Sequence, residues 1–205
     1  MFTPFWLAAT LGWLAFSYVV ISFVEFLAHG VFMHKPTWLS KRFGLFEQVL
    51  HLHRTFHHGE CFPGRHFDEH EGDCLEKNIR FDFLQGQVMS CWVWIPLFLA
   101  AQHYGLSSTA GAFCALGGVT MMASVFVHHC IWNLVHRQMH SQPAKRASWF
   151  KNSRVCLWLA RYHFMHHAYP KVNFCVVCPG ADWIMGTYKA PSAKDVEEMQ
   201  KHGFI

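Results

Sequence analysis

Seventeen of the 205 residues are histidine. Ten of them fall into four tight groups: His29/His34, His53/His57/His58, His136/His140 and His163/His166/His167. Neutral imidazole is the commonest protein ligand for zinc, copper, iron and nickel, and one mononuclear centre uses three or four such ligands. Ten grouped histidines therefore point to two metal ions held side by side. The spacings suit helices. His136 and His140 are four apart and share one face, as two ligands to one metal or a bridged pair would. In His163-x-x-His166-His167 the first two share a face, while His167 turns toward a second metal. His53-x-x-x-His57-His58 offers a similar adjacent pair. His29 and His34 lie about 140° apart on an α-helix, so they are expected to address one metal each.

Other polar residues near these groups have supporting roles or none. Glu25 lies one helical turn before His29 and is expected to orient that imidazole through its second ring nitrogen. His51, His128 and His129 are candidates to support ligands from behind. His66 and His70 fall in a polar loop, 59–77, rich in turn formers, and read as solvated; His103 and His202 read as interfacial or terminal histidines. Cys175 and Cys178 have redox or zinc spacing but no second pair, and read as structural. With two cysteines inside apolar runs and the others expected in a reducing compartment, the eight cysteines do not form a disulfide framework.

The elements that must position these residues are apolar helices. The chain is 52% hydrophobic and only 15% charged. No Lys or Arg precedes Lys35, and none lies between Arg80 and Arg137. The first gap holds Phe5–Ala28, a run of roughly 36 Å as a helix, enough to cross a bilayer. It lacks the basic start of a secretory signal and is too long for one. The second gap holds Val88–Ala101, interrupted by Pro96 and short enough to need Phe83, Leu84 and His103 at its ends or to sit re-entrant. Thr109–Val127 follows after a turn at 104–108. The expected architecture is an all-α integral membrane bundle over 1–205, a single domain, with spans at about 5–28, 88–103 and 109–129. Residues 29–87 and 130–205 would form a histidine-rich cap. The basic regions place that cap in the cytoplasm and the N-terminus outside, with a bacterial inner membrane as the setting. The net charge of +4 carries no nucleic-acid signal, because basic residues beside membrane spans are accounted for by lipid headgroups.

The segments Glu25-Phe-Leu-Ala-His29-Gly-Val-Phe-Met-His34, His136-Arg137-Gln-Met-His140 and His163-Phe-Met-His166-His167 resemble the integral-membrane fatty acid hydroxylase superfamily. That group includes lipid hydroxylases, sterol desaturases and carotenoid hydroxylases. The stretch Asn173-Phe174 through Pro179, with Asp182 and Gly186-Thr187-Tyr188, is similar to the segment just after that family's last histidine motif. Asn173 and Asp182 are therefore candidates to support ligands. One motif departs from the pattern: three residues, not two, precede the pair His57-His58, which leaves His51 as an alternative to His53. The resemblance implies two iron ions, O2 and an O2-dependent hydroxylation of an unactivated C–H bond in a membrane lipid. It also implies an external ferredoxin- or cytochrome-type electron donor, since no haem, flavin or iron–sulfur motif is present. Arg137 and Arg161 are candidates to meet the substrate headgroup. Carotenoid hydroxylation or lipid and sterol desaturation is the alternative within the group. Metal transport or sensing is the alternative outside it, and it would need ligands partway across the membrane.

Overall fold

The computed structural model describes residues 3–67, 74 and 83–205. His70, expected in solvent, lies outside the described residues, as does much of the 59–77 loop. Every regular element among the described residues is a helix. The chain divides into two compact units, one of Met1–Val24 with Phe81–Cys130 and one of Glu25–Arg80 with Ile131–Ile205.

The first unit draws on three long helices: α1 (Pro4–Leu27), α4 (Phe83–Tyr104) and α5 (Thr109–Met139). Two stretches, Pro4–Phe32 and Thr109–Met139, are long and apolar enough to cross a membrane. Their apolar windows are only 28% and 33% buried in the protein, so most of each apolar surface lies outside the chain's own core. Leu7, Leu11 and Leu14 on α1 and Val119, Phe126 and Val127 on α5 stay exposed. The expected third span is one unbroken helix that runs through Pro96, but it does not join those two on length and apolarity. Glycine sets the packing. A Cβ on Gly117 would lie 2.5 Å from the Trp13 ring, and one on Gly118 would lie 2.9 Å from Phe98. The adjacent pair thus lets α1 and α4 both approach α5. Gly105, at φ +75°, makes the turn between α4 and α5, and the Ser108 hydroxyl accepts the Gly111 N–H to cap α5.

The second unit is built from shorter pieces: α2 (Trp38–Arg42), α3 (Gly44–Leu50), α6 (Ser148–Lys151), α7 (Arg154–Ala168), α8 (Gly180–Ile184) and α9 (Ala193–Lys201). Two π-helical segments, Ala28–Phe32 and His51–Cys61, complete it. Thr37 and Ser192 close capping boxes at the starts of α2 and α9, and Ser153 caps α7. The core is aromatic: Phe62, Phe67, Phe150, Phe164 and Phe204 have no exposed surface. Phe204 makes the C-terminus part of this core, contrary to the expectation of a loose end around His202. The Arg146 guanidinium lies 4.2 Å over the Phe204 ring and donates to the carbonyls of Gln138, Ser141 and His202. Arg65 donates to Asp195 at 2.6 Å and to the Tyr169 hydroxyl, which ties α9 down. One expectation about the cysteines is overturned. Cys61, at the end of the second π-helix, is bonded to Cys74, their Cα atoms 5.7 Å apart. The other six cysteines remain thiols.

Candidate metal centre

All ten histidines singled out from sequence lie in the second unit, and nine of them form two groups. His29, His34, His53, His58 and His166 make the first; His57, His140, His163 and His167 make the second. Within each group the ring nitrogens lie within 4.8 Å of one another. His136 joins the second group through His163, its Nε2 2.9 Å from that residue's Nε2. The groups abut, since His58 and His167 stack with ring centroids 4.0 Å apart.

The partition differs from the one read off α-helical spacing, and the π-helices account for part of the difference. A π-helix bonds residue i to i+5, as Met33 N–H does to the Ala28 carbonyl and Phe62 N–H to the His57 carbonyl. Residues five apart then lie much nearer one face than they do on an α-helix. His29 and His34 therefore share the first group instead of addressing a metal each. His53 and His58 share it too, while His57 turns into the second group. On α7, which is α-helical, the expected pairing of His163 with His166 is also corrected: the residue four on, His167, shares the second group with His163, and His166 falls in the first. The extra residue in the second motif is thus absorbed by the π-helix. The choice between His51 and His53 is resolved as well: His53 is buried within the first group, and His51 is exposed and belongs to neither.

Main-chain carbonyls orient the rings. His166 Nδ1 donates to the Val172 carbonyl at 2.9 Å, His167 Nδ1 to that of Phe62 at 3.1 Å, and His29 Nδ1 to that of Phe174. A carbonyl only accepts, so each of these rings carries its proton on Nδ1 and points an Nε2 lone pair inward. The Nε2 atoms meet closely. His53 lies 2.8 Å from His29 and 3.1 Å from His58; His166 lies 3.0 Å from His34 and 3.2 Å from His58. His140 lies 3.0 Å from His163. Two nitrogens bound to one ion at about 2.0–2.1 Å are separated by about 2.9 Å at an octahedral edge and about 3.4 Å at a tetrahedral one. The separations match that range. Both nitrogens of His57 and Nε2 of His167 are buried with no hydrogen-bond partner, which is costly unless another electrophile takes the lone pairs. The residues present thus fit metal ions, and neither group contains a carboxylate or thiolate.

Electrostatics keeps the rings neutral. Burial, aided by His166, Arg54 and Lys35, lowers His34 to about 2. Burial holds His166 at about 4, against the opposing effect of its bond to Val172. His53, His57, His58, His140, His163 and His167 are lowered for the same first reason, with repulsion among neighbouring imidazoles adding to it.

Three of the residues expected to support the ligands, Glu25, Asn173 and Asp182, act through one strap, Val172–Cys178. Glu25 does not bond His29, as its spacing had suggested. Its carboxylate accepts the N–H groups of Val176, Val177 and Cys178 at 2.7, 3.0 and 2.8 Å. Asp182 accepts those of Phe174 and Cys175 at 3.0 and 2.7 Å, and the Thr187 hydroxyl at 2.6 Å. Two buried acids thereby hold five successive amides, and with them the Phe174 carbonyl that orients His29. Asn173 adopts φ 51° and bonds Tyr162 and Lys189 main-chain atoms, which fixes the turn into the strap. Cys175 and Cys178 are buried within it, and burial raises both thiols. Gly30 makes room for the strap: a Cβ there would lie 2.9 Å from the Phe174 ring.

His129 belongs to the first unit and to neither histidine group. Arg137 is exposed and Arg161 half-buried. Sequence reasoning missed Phe62 and Phe67, whose rings lie 4.2 and 4.8 Å from that of His140, and Arg146. The signal available was the run of aromatics beside the second motif. Comparison with protein-family models, characterised proteins and solved structures gave no match.

Proposed function

We propose that this protein is an O2-dependent di-iron oxygenase of the membrane that hydroxylates an unactivated C–H bond of a lipid chain. The observation that carries the reading is the pair of abutting, buried, all-imidazole groups. Five nitrogens for one ion and four or five for the other suit iron and, by the divalent affinity order, also zinc. When bound, two redox-active ions would supply O2 activation, chemistry that no acid–base side chain can replace. The protein's own part is positional. The main-chain carbonyls of Val172, Phe62 and Phe174 fix the imidazoles, the acids of Glu25 and Asp182 hold the strap, and Phe62, Phe67 and Phe174 keep water from the nitrogens. The apolar helices favour a substrate drawn from the bilayer, with electrons from a separate ferredoxin or small cytochrome. The motif resemblance to the fatty acid hydroxylase superfamily supports the same reading, with carotenoid hydroxylation or desaturation as its variants.

The test is direct. Cells expressing the protein under 18O2 should accumulate a lipid or pigment carrying one 18O, detected by mass spectrometry, and cells expressing His140→Ala should not. Unchanged lipids together with altered metal uptake by the cells would favour transport instead.

A further inference from the structure

The surface of the second unit carries a second apolar feature, remote in kind from the histidines. Trp183, Ile184 and Met185 are three successive large side chains, 56%, 68% and 54% exposed. Their own short helix α8 buries Ala181 and Asp182 on its other side. Three consecutive exposed apolar residues are costly in water and mark an interaction surface. The patch continues onto α7: Trp158 lies 6.4 Å from Trp183, and Tyr188 lies 6.2 Å from Trp183 by ring centroids.

The face of α7 involved is set by the helix itself. At about 100° per residue, Arg154, Val155, Trp158 and Arg161 fall within one outward sector, and His163 and His167 point away from it into the second group. Charge completes the picture. From Ser148 to Pro191 the one acidic residue is Asp182, which is fully buried in the strap network. Every exposed charge in that stretch is basic: Lys151, Arg154, Lys171 and Lys189, with Arg161 half-exposed. Tryptophan and tyrosine ringed by arginine and lysine is the composition that settles at a bilayer interface carrying anionic headgroups.

We propose that the α7–α8 face is a membrane-binding surface, inserted at the headgroup level of an anionic lipid leaflet. An acidic protein would meet the same charges, but Trp183, Ile184 and Met185 present no hydrogen-bonding edge beyond one indole N–H. They fit acyl chains better than a polar docking rim. This surface would bind lipid whatever reaction the histidines support.

Full-length protein is reconstituted in phosphatidylcholine vesicles with or without phosphatidylglycerol, with a photo-crosslinking residue replacing Ile184 or, as a control on exposed α9, Gln200. Illumination should give lipid adducts at position 184 about tenfold above position 200, enriched in phosphatidylglycerol. Adding Arg154→Glu and Arg161→Glu should remove that enrichment while leaving the metal content unchanged. Equal adduct yields at 184 and 200, or adducts at 184 with a co-purifying acidic protein in place of lipid, would overturn the proposal.

Discussion

An imidazole that ligates through one nitrogen is oriented through the other, and main-chain carbonyls do this for His29, His166 and His167. Removing a nitrogen should therefore be felt locally. His166→Ala and His140→Ala take a donor from the first and second group respectively, and each should lower bound metal from about two ions per chain toward one and abolish lipid oxidation. Elemental analysis of purified protein checks this, and two ions retained in both variants would refute the ten-donor arrangement. Glu25→Ala removes the acceptor of three buried N–H groups and should destabilise the second unit by about 2–4 kcal/mol, read as a lowered melting temperature of the metal-free protein. Glu25→Gln keeps one acceptor oxygen and should lose less. The grouping of the ten histidines was legible in sequence because chemistry concentrates one residue type. The target of Glu25 was not, since its partners lie about 150 residues away in a strap with no periodicity to read.

At the scale of elements, hydrogen-bond register decides which histidines meet. An α-helical reading assigned His29 and His34 to different metals, and the π-helical turns reverse that by making five-residue spacing equivalent to the four-residue spacing of His163 and His167. No apolar pattern signals a π-turn, so the helices were legible and their register was not. The C-terminal segment shows the same limit. The terminus at His202 reads as loose, yet beyond α9 the chain turns Phe204 onto Phe67 and Phe164, with ring centroids 5.7 and 6.2 Å away. Phe204→Ala should cost about 3–5 kcal/mol and reduce metal occupancy of the second group, because Phe67 stacks on His140. His202→Ala, by contrast, removes a half-exposed ring and should leave both close to wild type. Thermal unfolding and metal content measured on both variants separate a docked terminus from a loose one.

Over the whole molecule, two constraints link acidity and topology to the site. The histidines are neutral when buried, and His166 and His34 hold protons only near about 4 and about 2, against an ordinary value of about 6.5. Between those limits the unfolded chain binds more protons, so stability of the metal-free protein should be full above about pH 6.5 and fall as pH drops toward about 4. A melting temperature independent of pH over that window would show that the rings are not buried together. Topology is constrained by the site's composition. His29–His58 and His136–His167 come from opposite sides of the α4–α5 segment in sequence, yet they share both groups. They must therefore lie on one side of any membrane, and the chain between them must cross it an even number of times. If α5 crosses, α4 must cross back, despite Pro96 and its weaker apolarity. From the lysines and arginines flanking this segment and the positive-inside tendency, we predict that the shared side is cytoplasmic. A reporter inserted between Leu106 and Ser107 should accordingly read as external, one fused after Ile205 as cytoplasmic, and one at the N-terminus as external, giving three crossings. A cytoplasmic reading at Leu106 with α5 still inserted would strand the two halves of each histidine group on opposite faces, and neither group could then form.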